Sequence, residues 1–134
     1  EAFGALPAQA GTGNVYTGTL QAIGSGVFTD NGVLTLTASN LSADAYDAWL
    51  LAANSRFRFG SRWTIEPSIR WYSQDNATGS QLTRLAPTLR TLFQWRERFS
   101  LEAEIAYEIS KSDALLVDES NNILFYYFGF RWDF

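Results

Sequence analysis

The chain lacks cysteine and histidine altogether. Without thiols it has neither a disulfide framework nor a thiolate metal site. Without imidazole it loses the commonest metal ligand and the usual general base, so no cofactor and no catalytic residues are expected. Long apolar runs are missing too, and nothing approaches the ~18 consecutive residues of a membrane-crossing helix. Positive charge is scarce: 10 Lys and Arg stand against 14 Asp and Glu, a formal charge of −4. Nucleic-acid partners call for a basic face, so none is expected. The chain does not open on a basic segment followed by an apolar core, so no signal peptide is expected there.

Apolar residues make up 46% of the 134 positions and aromatics 16%. That excludes general disorder, and the length fits one domain or a piece of one. The pattern is strand, turn, strand throughout, with no 3.6-residue period. Segment 1–14, with Pro7 and three glycines, reads as an outer loop or linker, and 15–134 as the strands. Strands are predicted at 16–28, 33–40, 49–59, 63–72, 82–95, 98–111 and 123–134. Asp30-Asn31-Gly32 is a hairpin signal, because Asn and Gly tolerate positive φ. Connections are expected to alternate between tight turns (30–32, 60–62, 96–98) and longer polar loops (41–48, 73–81, 112–122). Pro67 and Pro87 lie inside strands, where each removes a ladder donor; they are expected to face each other at a bulge or weakly paired patch.

In the last five strands one row is almost wholly apolar. It runs through Trp49, Leu51, Phe57, Phe59, Trp63, Ile65, Ile69 and Trp71, then Leu85, Leu89, Phe93, Trp95, Phe99, Leu101, Ile105, Tyr107 and Ile109. It ends on Leu124, Tyr126, Phe128, Phe130, Trp132 and Phe134. Eleven charges occupy the other row: Arg56, Arg58, Glu66, Arg70, Arg84, Arg90, Glu102, Glu104, Glu108, Arg131 and Asp133. Choosing a phase for each strand uses up five of them, and the other six agree, so the period is real.

A soluble barrel or sandwich would bury the apolar row, but a small barrel's interior takes only modest side chains. All five Trp lie on this row, and a sandwich has no need of aromatics gathered at strand ends. Phe59, Trp63, Trp95, Phe99, Trp132 and Phe134 mark one rim, and Trp49, Trp71, Tyr107 and Tyr126 the other. Trp63 to Trp71 spans ~20 Å at a ~40° tilt, close to the ~25 Å apolar band of a membrane barrel. Rings of this kind sit at headgroup level. The expected fold is therefore all-β: an antiparallel transmembrane β-barrel with about seven strands here and a lipid bilayer as partner. It is expected to be the C-terminal part of a larger barrel. Seven strands break the even parity of single-chain bacterial barrels, so upstream strands or another chain would complete it.

The last strand resembles the C-terminal assembly signal of Gram-negative outer-membrane proteins, a terminal Phe preceded by aromatic or apolar residues at alternate positions. Tyr126, Phe128, Phe130, Trp132 and Phe134 match it. The resemblance implies a bacterial outer-membrane location and recognition by the barrel-assembly machinery. Barrel enzymes of that class rely on histidine, which this chain lacks.

The charged row has two compatible readings. One is a cross-strand ion-pair ladder that stiffens the wall; the other is a charged pore wall that sets ion preference. Centring the tight turns on Ser61 and Glu97 pairs Arg56 with Glu66 and Arg90 with Glu104. The expected function is a porin-like channel or conduit that passes or houses a solute, polymer or partner protein. The alternative is a structural or adhesion barrel with a plugged lumen, acting through its outer loops.

Overall fold

The computed structural model describes residues 14–27, 30–114 and 117–133. The expected loop at 1–14 therefore lies, apart from Asn14, outside the described residues, as does Phe134. Seven antiparallel strands form one sheet in chain order. They are β1 (Val15–Ser25), β2 (Val33–Ala43), β3 (Tyr46–Phe59), β4 (Trp63–Asn76), β5 (Gln81–Arg96), β6 (Phe99–Ala114) and β7 (Val117–Trp132).

Alternation sets the register. A slip of one residue would turn a whole strand over, so each pairing keeps like faces together. Phe57 opposes Ile65, Trp63 opposes Phe93, and Leu101 opposes Phe130. The β3–β4 pairing centres on Ser61, and the β5–β6 pairing on Glu97 until a bulge between Gln94 and Arg96 shifts it. The bland strands join the same scheme. Leu20 opposes Ala38 and Ala38 opposes Leu51 on the apolar face, while Thr19 and Ser39 share a hydrogen bond of 3.0 Å on the polar face.

Three expectations need correction. The polar stretches 41–48, 73–81 and 112–122 are not long loops, because the strands run on through them. Only Asp44 and Ala45 separate β2 from β3, four residues separate β4 from β5, and two separate β6 from β7. Polarity alone does not end a strand. Ladder hydrogen bonds continue wherever the backbone can stay extended, and only the turn residues break them. At the β4–β5 turn Gly79 supplies a φ of 84°, and Asn76 N–H donates to the Ser80 carbonyl at 2.9 Å. The β1–β2 connection is conversely longer than 30–32: β1 stops at Ser25, and the Gly26 N–H donates to the Gly32 carbonyl at 2.8 Å.

The prolines do not face each other. Pro67 opposes Leu89 and Pro87 opposes Ile69, so β4 and β5 pair without a break. Each proline weakens its other edge instead. Pairing skips Ser55 and Arg56 between β3 and β4, and Ala86 and Pro87 between β5 and β6. A missing N–H is lost only to the neighbour it would have pointed at.

No second layer covers the sheet among the described residues, and Ala48 is the one buried apolar side chain. β1 pairs only with β2 and β7 only with β6, so the sheet is open. Being the first and seventh of an alternating series, β1 and β7 run in the same direction.

Candidate functional site

The polar face carries the two recesses that reach across most of the sheet. A recess of about 660 Å³ is lined from Arg58 on β3 to Tyr127 and Arg131 on β7, and a second of about 460 Å³ reaches from Val33 on β2 to Glu104 on β6. Both span five strands, and the face that carries them is called inner here; the apolar face carries a recess of about 430 Å³ over β1 to β4. On that apolar face Ile69, Leu89 and Ile105 stand 41–49% exposed although they sit mid-sheet.

All eleven charges named from the sequence lie on this inner face, and the register sorts them into levels. One level reads Arg56, Glu66, Arg90, Glu104 from β3 to β6, in strict sign alternation. The level nearer the tight turns holds Arg58 and Glu102. Below that Arg62 and Arg131 line the same recess, with Asp133 beside Arg131 at 2.8 Å. In the other direction Asn54, Ser68 and Thr88 form an uncharged level. Arg70 and Glu108 follow, flanking Ala86, and then Arg84 opposite Tyr72.

Three of the four ion pairs form one connected network across four strands. Arg56 Nε meets Glu66 Oε1 at 2.5 Å, Arg90 reaches Glu66 Oε2 at 3.5 Å, and Arg90 meets Glu102 Oε1 at 2.6 Å. The Arg56–Glu66 pair expected from the turn centre is present. Arg90 does oppose Glu104 in register, but its side chain closes diagonally on Glu102 instead. A long guanidinium arm can choose between two carboxylates on one face, and from Glu102 it still reaches Glu66. Among the described residues Arg58, Arg62, Arg70 and Arg84 have no carboxylate in ion-pair range.

Some inner-face residues went unnoticed in the sequence. Ile123, Phe125 and Tyr127 place an apolar stripe on the inner face of β7, 48–53% exposed. They stand beside outer-face residues in a run that is apolar on both sides. Tyr127 lies over Gly129, in the space a β-carbon there would need.

The outer face carries its aromatics in two staggered bands. Measured from the straight cross-strand row through Trp49, Ser73, Thr83, Lys111 and Ser120, the upper aromatics fall progressively toward the tight turns. Trp71 on β4 is two residues below that row, Tyr107 on β6 four, and Tyr126 on β7 six. The lower band drops in the same sense. Phe59, Trp63 and Phe93 share a row, whereas Trp95, Phe99 and Trp132 lie two residues beyond it. There Phe99 touches both Trp95 and Trp132, with centroids 6.0 and 5.7 Å apart.

Beyond the upper band the outer face turns polar, and the strand extensions bring Lys111 and four aspartates onto it, while Glu119, opposite Ser112, falls on the inner face. Lys111, inside a predicted strand, lies on this face and not with the eleven. Asp47, Asp75, Gln81, Asp113 and Asp118 form a single row, in which Asp47 directly opposes Asp75 and Asp113 directly opposes Asp118. Among the described residues no three His, Cys, Asp or Glu side chains are grouped to hold a metal ion. Comparison with family models, with curated proteins and with solved structures finds no match for this chain.

Proposed function

We propose that this sheet is part of the wall of a bacterial outer-membrane β-barrel, its outer face in lipid and its inner face lining a lumen that passes or houses a solute, polymer or partner. The observation that carries the reading is the stagger of the aromatic bands. Along the upper band six residues of descent amount to ~20 Å along a strand, and four strand spacings to ~19 Å across, which gives a tilt of about 45°; the lower band descends two residues over the same strands, a shallower slant in the same sense. Strands of membrane barrels tilt by ~35–45°. A soluble sheet has no reason to align its aromatics along a slanted plane. A membrane surface supplies one, because amphipathic rings settle at headgroup depth. The acidic row beyond the upper band then stands in water.

In lipid each unpaired backbone group at an open edge costs several kcal/mol. The edges of β1 and β7 therefore require further strands, from elsewhere in the polypeptide or from another chain. Because β1 and β7 run in the same direction, two copies joined edge to edge would meet in parallel. Antiparallel closure takes an odd number of added strands. The alternating aromatics of β7, Tyr126, Phe128, Phe130 and Trp132, support delivery by the barrel-assembly machinery.

A plugged, structural or adhesive barrel is the second reading. What favours it is the inner apolar stripe Ile123, Phe125 and Tyr127, which water alone would not select.

All five Trp lie on the outer face, so fluorescence tests the membrane reading directly. Brominated lipids should quench them and aqueous iodide should not; strong iodide quenching in vesicles would overturn the reading. Single-channel conductance in planar bilayers separates an open lumen from a plugged one.

A further inference from the structure

We infer that the inner face favours small anions, although the chain as a whole is acidic. This rests on the conduit reading and gives it a sign. The formal charge of the chain is −4, but the negative surplus lies elsewhere. The recesses of the inner face are lined by Arg56, Arg58, Arg62, Arg70, Arg84, Arg90 and Arg131 against Glu66, Glu102, Glu104, Glu108 and Asp133: seven minus five, a net of +2, with Glu119 on the same face beyond them, opposite Ser112. Much of the compensating negative charge is the outer row of Asp47, Asp75, Asp113 and Asp118, on the other side of the sheet and beyond the aromatic band.

Pairing sharpens the imbalance. Glu66, Glu102 and Asp133 are each held by an arginine. Their charges are cancelled locally, and so are those of Arg56, Arg90 and Arg131. Arg58, Arg62, Arg70 and Arg84 keep guanidinium groups that no carboxylate in the described residues engages. They are spread along the wall. Arg62 and Arg58 stand at the tight-turn end of the 660 Å³ recess, and Arg70 and Arg84 in the recess of about 390 Å³ toward the other end. Arg70 and Arg84 are diagonal neighbours on β4 and β5.

A guanidinium presents several donors in a plane and suits carboxylate and phosphate oxygens as well as halide. With low-dielectric walls on either side, fixed charge of one sign concentrates counter-ions in a cleft. A small anion entering past the tight turns meets Arg62 and Arg58, and one that passes Glu119 at the other end meets Arg84 and Arg70. A cation meets Glu104 and Glu108, which the level order sets beside arginines.

The test is the reversal potential of the full polypeptide in planar bilayers under a potassium chloride gradient. The wild type should favour chloride. Replacing Arg58, Arg70 and Arg84 together by Gln strands no carboxylate and should lower the chloride-to-potassium permeability ratio by about two-fold or more. The triple Lys variant should keep the wild-type sign, and Glu108→Gln should shift the ratio the other way. An unchanged reversal potential in the triple Gln variant would overturn this inference alone. So would a Lys variant that behaves like the Gln one. Inserted protein that never conducts would overturn the conduit reading and this inference with it.

Discussion

Leu89, Ile105 and Tyr126 occupy one straight row across β5, β6 and β7. If the outer face lies in lipid as proposed, a sheet lying square to the bilayer would hold them at one depth. At a tilt of about 45° it does not, because each residue rises only ~2.3 Å along the membrane normal. Leu89 is four residues inside Leu85, the last apolar residue of its upper end, so it lies ~9 Å below the interface. Ile105, which its place in the sequence puts near the midplane, is two residues from Tyr107 and ~5 Å deep. Tyr126 is itself in the aromatic band. Lysine in place of each should cost ~2–4 kcal/mol at Leu89, about half of that at Ile105, and ~0–1 kcal/mol at Tyr126. Glu104→Gln, next to Ile105 but on the inner face, should cost well under 1 kcal/mol, since no ion pair ends on Glu104. The assay is reversible urea unfolding from lipid vesicles, read by tryptophan emission. Equal costs for the three lysines would refute the tilt. A negligible cost at Leu89 would refute the assignment of the outer face to lipid.

Glu66→Gln should destabilise by ~1–3 kcal/mol in the same assay and more than Arg56→Gln, because it leaves Arg56 and Arg90 side by side without the carboxylate they share. Asp47→Asn and Asp113→Asn should each stabilise by ~0.2–1 kcal/mol, since like charges face each other directly there; a gain that survives molar salt would speak against that cause. Gly129→Val should cost ~1–3 kcal/mol by displacing the Tyr127 ring, and most of the cost should vanish in a Tyr127→Ala background. Additive losses in that double-mutant cycle would show the two sites to be independent.

The sequence by itself determined the two faces. Alternation is a property of each strand alone, so Arg56, Arg90 and Glu104 could be placed on one row and Leu89 and Ile105 on the other without knowing any neighbour. It also determined two turn centres, Ser61 and Glu97, because tight turns leave the register no freedom. Strand ends were not legible. The segments around Asp47, Asp75 and Asp118 are polar on both faces, and polarity at a strand end looks the same as polarity in a loop. Everything that depends on which strand lies beside which came from the tertiary structure alone. That includes the directly opposed aspartates, the choice of Glu102 over Glu104 by Arg90 and the four unengaged arginines of the inner face. The slant of the aromatic bands belongs there too. A single strand shows where its own Trp stands, and a tilt exists only as an offset between neighbours whose pairing hydrogen bonds have already been fixed.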